Sequence, residues 1–152
     1  MPLLHVALVE PEIHWNTGNA GRSCLAFGAQ LHLVGPLGFS LDERQVRRAG
    51  LDYWDRVAPI LHPDFATFEA QMARWGEPLF FSAEAERTLG ETPLPTRCLF
   101  VFGGESRGLP ADVRARYRER LVRIPILPGS VRSLNLSTCV GIALHEAVGR
   151  PR

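Results

Sequence analysis

Unbroken apolar runs alternate with amphipathic stretches along this chain, and the alternation limits the possible folds more than any other feature. The clearest runs are LLHVALV (3–9), QLHLVG (30–35), PLFFSA (78–83) and RCLFVFG (97–103). Short runs without polar interruption are typical of strands that are covered on both faces, as in a parallel sheet. Helical patterns lie between them. The order of elements predicts an α/β fold, a three-layer sandwich with a mainly parallel sheet.

The helical stretches are defined by their start and stop residues and by their apolar spacing. We expect helices from Gly18 to about Phe27, over 42–50 with Gly50 as its stop, over 63–75, from Pro110 to Leu121, and over 135–148. Within 63–75, one face carries the large apolar residues Phe65, Phe68, Met72 and Trp75. Two further short strands are predicted at 56–61 and 121–127.

Length and composition are those of one ordinary globular domain over residues 1–152. The chain is 45% hydrophobic and 22% charged, which excludes disordered, collagen-like and coiled-coil proteins. No apolar run reaches the roughly 18 residues of a membrane span, and the first residues lack a secretory signal, so we expect a cytoplasmic protein without membrane contact. The three cysteines are scattered, which predicts neither disulfides nor a metal site: Cys24, Cys98 and Cys139.

Positive charge is concentrated towards the C-terminal end. All 17 basic residues are arginines. Residues 97–132 hold eight arginines and three acids, whereas residues 64–91 hold two arginines and six acids. This distribution is typical of a protein that binds a phosphate-bearing partner on one face, although a solvated arginine-rich helix would give the same count.

Several common kinds of site are excluded by missing motifs. The chain has neither a GxGxxG after its first strand nor a GxxxxGK[ST], so the usual dinucleotide and P-loop sites are not indicated. Its five histidines have no ligand spacing, and HEAVG lacks the second histidine of a zinc helix. In GESRG, Ser106 has Glu105 and Arg107 as neighbours, unlike a GxSxG nucleophile elbow.

Three polar or glycine-rich segments remain as candidate sites, and we call them the first motif (16–22), the second motif (102–110) and the third motif (123–126 and, after a Pro-Gly turn, 132–137). In the first motif, three-residue steps predict that Asn16, Asn19 and Arg22 share a helical face near the helix N-terminus, which favours an anion. A simple N-cap would also explain Asn16 and Thr17.

The second motif follows a buried strand, where glycines let a ligand approach the backbone; a glycine-rich turn is the alternative. In the third motif, any of Ser133, Asn135 and Ser137 could cap the last helix.

The three motifs resemble, in this order, the three signature motifs of the SPOUT superfamily of RNA methyltransferases. The segments that carry the resemblance are NTGNAGR, FGGESRGLP, and IPILPG with RSLNLS. The chain further resembles the minimal tRNA (cytidine/uridine-34-2′-O)-methyltransferase branch of this superfamily, and this resemblance extends over nearly its whole length. It is clearest in EPEIHWNTGNAGRSC and GFSLDERQVRRAGLDYW. The resemblance implies a C-terminal deep trefoil knot, which periodicity alone would never predict. It also implies S-adenosylmethionine as the cofactor.

Residue roles follow from the same resemblance. The cofactor-binding positions fall on Ser82, Gly103, Ile124, Ser133 and Leu134. Arg22 matches the motif arginine that is assigned to the attacking hydroxyl, and because an arginine is a poor base we expect it to hold a phosphate and that hydroxyl. Asn16 and Glu105 are expected to position the nucleotide. The candidate RNA-binding residues are Asn19, Arg107 and Asn135. The chain departs from the family at His145, where a tyrosine is usual, and at His14-Trp15, where Trp15 either stacks on a base or packs as a hydrophobic staple.

The resemblance implies an enzyme that methylates the ribose 2′-hydroxyl of the wobble nucleotide, position 34, in the anticodon stem-loop of tRNA. A homodimer is expected, because one chain of net charge +1 offers little area for gripping RNA. Two alternatives stay open. One is 2′-O-methylation of another tRNA position or of rRNA, and the other is a non-catalytic RNA-binding module that keeps the fold.

Overall fold

Six parallel strands form a single sheet in the computed structural model, which describes residues 2–41 and 53–150. Their order in the sheet is β3-β2-β1-β5-β4-β6, and every neighbouring pair is parallel. The strands are β1 (Leu4–Val9), β2 (Gln30–Val34), β3 (Ile60–His62), β4 (Glu77–Phe81), β5 (Cys98–Phe102) and β6 (Leu121–Val122). The central strands β1 and β5 are buried along their whole length, which explains why their sequences are unbroken apolar runs.

Helices cover both faces of this sheet. They are α1 (His14–Phe27), α2 (Trp54–Val57), α3 (Phe65–Glu69), α4 (Met72–Trp75), α5 (Ala111–Arg116), a 3₁₀ helix (Arg118–Arg120) and α6 (Leu136–Gly149). On one face, Ala20 and Cys24 of α1 pack with Val140 and Leu144 of α6. On the other, the core includes Phe68, Met72, Trp75 and Val113 from α3, α4 and α5. The predicted three-layer α/β sandwich is confirmed.

Some element boundaries differ from the prediction. Helix α1 begins at His14 rather than Gly18, and the expected helix over 63–75 is two short helices separated by Ala70 and Gln71. Strand β6 has only two residues, because Arg123 leaves the ladder with β4 and pairs with Thr88 of the segment after β4. Strand β3 begins only at Ile60, since α2 occupies the start of the predicted 56–61 strand. The helix predicted over 42–50 lies outside the described residues.

The segment 82–97 between β4 and β5 is held against the returning C-terminal chain. The backbone N–H of Leu89 donates to the Arg123 carbonyl (2.8 Å), and the Arg123 N–H donates to the Arg87 carbonyl (3.0 Å). From the end of α6, the Arg150 guanidinium donates to the Leu89 carbonyl (2.7 Å). This arrangement supports the C-terminal knot, which stays a prediction from the family resemblance.

Among the described residues, no helix combines the length and the apolar character that a membrane crossing requires. The assignment of residues 1–152 to a single domain stays a prediction.

Candidate active site

A cavity of about 680 Å³ lies at the carboxyl ends of three neighbouring strands, β5, β4 and β6. Its walls come from the segments that follow these strands and from the start of α6. The carboxyl end of a parallel sheet is where ligands bind in α/β proteins. The volume lies within the roughly 300–1,000 Å³ range of small-molecule sites.

Most of the predicted site residues meet in this cavity. All five predicted cofactor positions line it, as do four of the six predicted catalytic and RNA-binding residues: Ser82, Gly103, Ile124, Ser133, Leu134, Asn16, Glu105, Arg107 and Asn135. The fold therefore brings together parts of the chain that are up to 119 residues apart, as between Asn16 and Asn135. Asn19 and Arg22 are not among the lining residues.

The second motif folds into a tight loop directly after β5. The Gly108 N–H donates to the Gly104 carbonyl (3.0 Å), and Gly108 has a positive φ of 65°. A Cβ on Gly103 would lie 2.0 Å from the Gly108 carbonyl carbon and 2.2 Å from the Leu109 nitrogen. Closure of the loop therefore requires glycine at 103, whether or not a ligand approaches the backbone there.

Glu105 from this loop receives the N-terminus of α1. Its carboxylate oxygens accept hydrogen bonds from the backbone N–H groups of Glu12 (2.7 Å) and Ile13 (2.9 Å). A carboxylate at this position satisfies N–H groups that a helix leaves unpaired and interacts favourably with the helix dipole. The alternative of a simple N-cap by Asn16 or Thr17 does not hold, since both residues lie inside α1 and a distant loop supplies the carboxylate.

Asn16 connects the three motifs. Its side-chain amide donates to Glu105 Oε2 (3.2 Å), and its Oδ1 accepts from Asn135 Nδ2 (2.9 Å). Asn135 in turn caps α6, since its Oδ1 accepts from the Ser137 backbone N–H (2.9 Å). Asn16 is only 3% exposed, so its amide orientation is fixed by these two partners.

Sequence reasoning missed Glu12, whose side chain lies behind the second motif. The Ser106 hydroxyl donates to this carboxylate, with its oxygen 2.7 Å and 2.8 Å from the two Glu12 oxygens, and the Ser106 N–H donates to Glu12 Oε1 (3.2 Å). These hydrogen bonds from Ser106, aided by the positive charge of Arg107, lower the pKa of Glu12. The only available signal was its place in the EPEI segment.

Aromatic and aliphatic side chains form the apolar part of the wall. Phe81 and Phe102, the last residues of β4 and β5, stack with their ring centroids 4.2 Å apart. Ile124 and Ile126 also line the cavity and are half-buried. Beside them, the Ser82 N–H donates to the Val122 carbonyl (3.0 Å), which fixes the start of the segment after β4.

Three of the eight arginines in residues 97–132 form ion pairs with nearby carboxylates. Arg114 pairs with Glu84 (2.6 Å), Arg116 with Glu69 (3.1 Å) and Arg120 with Glu77 (3.3 Å). By contrast, Arg107 and Arg132 are exposed, line the cavity, and form no close ion pair with a carboxylate among the described residues, although the charge of Arg107 acts on Glu12. The sequence did not single out Arg132, although it lies inside the third motif.

Arg22 and Asn19 lie on the outer surface of α1, whereas Asn16 faces inward. The Arg22 guanidinium is 5.9 Å from the centre of the Tyr53 ring. The predicted common face for residues 16, 19 and 22 is wrong, because each three-residue step falls about 60° short of a full helical turn. Trp15 is 53% exposed, so it is not a buried staple.

The described residues hold no group of three or more His, Cys, Asp or Glu side chains placed to hold a metal ion.

The model of the SpoU rRNA Methylase family matches residues 3–145, nearly the whole chain. The chain belongs to this family. The resemblance drawn from the three motifs is thereby confirmed, and so is the expectation of a methyltransferase.

Individual proteins support the same assignment. The tRNA (cytidine(34)-2'-O)-methyltransferase of Burkholderia ambifaria is 44% identical over 147 residues, which cover 95% of this chain and 94% of that protein. A solved structure described as structural insights into the 2-OH methylation of C/U34 on tRNA is 46% identical, with a TM-score of 0.86 over 95% of this chain and 93% of that one. An AdoMet-bound rRNA methyltransferase from Sinorhizobium meliloti is 25% identical, with a TM-score of 0.82 over 97% of this chain and 59% of the other.

Proposed function

We propose that this protein transfers a methyl group from S-adenosylmethionine to the ribose 2′-hydroxyl of nucleotide 34, cytidine or uridine, in tRNA. One observation carries the proposal: five predicted cofactor positions, from three separate segments, converge on one cavity at the carboxyl end of the sheet. Relatives at 44% and 46% identity, matched over nearly their full length, are named or described for this reaction.

The cavity fits such a cofactor. Ile124 and Leu134 offer apolar surface for an adenine, and Gly103 and Gly104 of the second motif line the same cavity. When bound, S-adenosylmethionine supplies an activated methyl group on its sulfonium. The protein then needs to orient the acceptor hydroxyl and to exclude misplaced substrates.

Asn16 is the side chain best placed to orient the nucleotide. Its Oδ1 is occupied by Asn135, and one of its two amide hydrogens by Glu105, so the second hydrogen is free to bind a ribose oxygen. Glu105 holds Asn16 and the start of α1. With three hydrogen bonds already accepted from this region, the Glu105 carboxylate acts by position rather than as a proton acceptor.

Arg22 performs its role across a homodimer in this proposal. It lies outside the cavity of its own chain, on the same side of the sheet as the exposed apolar residues Ile142 and Val148 of α6. Packing α1 and α6 against a second copy would cover these residues and bring Arg22 of the partner subunit towards the cavity. There it holds a phosphate beside the target ribose, and the hydroxyl proton leaves through phosphate or water, because a guanidinium group has no lone pair with which to accept it.

The RNA partner in this proposal is the anticodon stem-loop, and the site of action is the cytoplasm. Arg107 and Arg132 stand unpaired at the cavity and are the natural contacts for phosphates that flank the target nucleotide. Asn19 and Asn135 belong to the same RNA-facing set.

The test measures methyl transfer to tRNA and maps the methylated ribose. Arg22→Ala should abolish transfer while the dissociation constant for S-adenosylhomocysteine stays unchanged, because Arg22 does not line the cofactor cavity. Arg74→Ala, an exposed arginine on the other face of the sheet, is the matched control. A normal transfer rate in the Arg22 variant would refute its role.

A second candidate substrate is rRNA, and it can be tested in the same experiment. The family model and the Sinorhizobium meliloti structure are both described for rRNA, which favours rRNA as the alternative substrate. Mapping methylation in total RNA separates the two targets. If S-adenosylhomocysteine at millimolar concentration gave no thermal stabilisation, a non-catalytic RNA-binding module would be the better interpretation.

A further inference from the structure

We propose that Glu12 is a positioning residue for methyl transfer, which fixes the second motif through Ser106 and thereby sets the cofactor wall against the nucleotide side of the site. This inference rests on the proposed function. Glu12 does not line the cavity, so its action passes through the loop that it holds.

The contact between the two segments is reciprocal. Glu12 takes the hydroxyl and the N–H of Ser106 on its carboxylate, while Glu105, the neighbour of Ser106, takes the N–H groups of Glu12 and Ile13. Each segment thus gives one carboxylate and receives donors from the other. We call this arrangement the clasp (residues 12–13 with 105–106).

The loop is shaped to fit the clasp. A Cβ on Gly104 would lie 2.6 Å from the Glu10 carbonyl oxygen and 3.0 Å from Glu12 Oε1, so the two segments approach as closely as glycine allows. Gly103 and Arg107 lie on either side of the clasped residues and both line the cavity. A change in the clasp is therefore transmitted directly to the cofactor wall and to an unpaired arginine.

The clasp also connects the part of the site that binds the cofactor with the part that binds the nucleotide. Residues 12 and 13 lead directly into α1, which carries Asn16, and Glu105 contacts Asn16 itself. Catalysis of a transfer between two bound molecules depends on their mutual placement to within about 1 Å. If the Glu12 side chain is lost, the second motif is no longer held through Ser106, although Glu105 still accepts hydrogen bonds from the start of α1. The distance between the cofactor wall and Asn16 is then no longer fixed.

The experiment compares Glu12→Ala and Glu12→Gln with the wild-type protein in methyl transfer to tRNA and in calorimetric binding of S-adenosylhomocysteine. In Glu12→Ala we expect kcat to fall on the order of tenfold or more, with a similar loss of affinity for S-adenosylhomocysteine and an unchanged KM for tRNA. Glu12→Gln keeps one acceptor oxygen for Ser106 and should restore part of both losses. Ser106→Ala should lower kcat in the same way, and the double variant Glu12→Ala/Ser106→Ala should be no worse than Glu12→Ala, because both changes remove one interaction.

Glu91→Ala is the matched control. Glu91 accepts from the Thr88 hydroxyl at 2.7 Å, a contact like that of Glu12 with Ser106, but neither residue lines the cavity. Wild-type kcat in Glu12→Ala, or additive losses in the double variant, would overturn the inference. A wild-type protein that neither binds S-adenosylhomocysteine nor methylates RNA would instead overturn the proposed function.

Discussion

This molecule contains two hydrogen-bonded networks, one inside the core and one at the cavity. The first is made of histidine rings, and the second of carboxylate, amide and hydroxyl side chains. In the core, three histidines from β1, β2 and β3 form a line: His5 Nδ1 lies 2.9 Å from His32 Nε2, and His32 Nδ1 lies 3.0 Å from His62 Nε2. At the cavity, ionised carboxylates and amides join the three motifs. We call the first the histidine line (His5, His32, His62).

The direction of hydrogen bonding in the histidine line follows from its end. His5 Nε2 lies 3.1 Å from the Pro2 carbonyl, which can only accept, so His5 donates there and accepts at Nδ1 from His32. His32 then accepts at Nδ1 from His62. Every ring is neutral in this pattern, and burial lowers the pKa of His32 to about 3. A further proton on His32 would place two hydrogens between His32 and His62.

The comparison teaches that position decides what a polar network does. The histidine line is neutral, buried and remote from the cavity, so its effects should appear in stability. The network at the cavity joins segments that line the cavity, so its effects should appear in binding and catalysis.

The largest effect is expected from breaking the loop of the second motif. Gly103→Ala should lower methyl transfer and affinity for S-adenosylhomocysteine by about a hundredfold or more, because the new methyl group would occupy the place of the Gly108–Leu109 backbone. Radiolabelled transfer and calorimetry measure both. Gly90→Ala is the control, because a Cβ at this position would lie 4.0 Å from its nearest contact, Thr88 Oγ1. Equal activity in the two variants would contradict the prediction.

Breaking the histidine line should instead lower stability. His32→Leu introduces an apolar side chain of similar size and leaves His5 and His62 without their hydrogen-bonding partner in the core. We expect a loss of about 3 kcal/mol in the free energy of unfolding, measured in urea, with binding of S-adenosylhomocysteine retained. Loss of cofactor affinity in a protein that remains folded would contradict the separation of the two networks.

Acid should reveal the same line in the unchanged protein. Unfolded histidine has a pKa near 6.5, whereas burial lowers the pKa of His5, His32 and His62 in the folded protein. Between these values the unfolded state binds more protons, so stability is full above about pH 6.5 and declines as the pH falls below it. His32 alone should contribute a loss of about 2 kcal/mol between pH 6.5 and 5.

Urea titrations at several pH values measure this decline. The slope should be smaller in His32→Leu than in the wild-type protein. Stability that stays constant from pH 7 to 5 would show that the histidines are free to take up protons in the folded state.

The smallest effects concern surface arginines. Arg107→Ala should reduce the slope of log Kd for tRNA against log salt concentration by about 1, as expected for one lost phosphate contact. Arg120→Ala should leave that slope unchanged and cost less than about 1 kcal/mol of stability, since Arg120 is engaged in an exposed pair with Glu77. Equal slopes for the two variants would remove the distinction between paired and unpaired arginines.

The sequence predicted the strands that are largely buried. Strands β1, β2, β4 and β5 were placed within one or two residues, because strands covered on both faces are predominantly apolar. Elements held by tertiary contacts were less predictable. Helix α1 begins four residues early because Glu105, 89 residues from Asn16, replaces a local cap.

Residue types by themselves determined the fold class, the family and the chemistry of the three motifs, since periodic burial and motif glycines leave their mark directly in the sequence. Only the tertiary structure decided how these residues are used. It paired Arg114, Arg116 and Arg120 with carboxylates, turned Arg22 away from its own cavity, and made Glu12 a partner of Ser106. These outcomes depend on contacts between residues far apart in the chain, and no local pattern of charge or polarity encodes which distant group a side chain will meet.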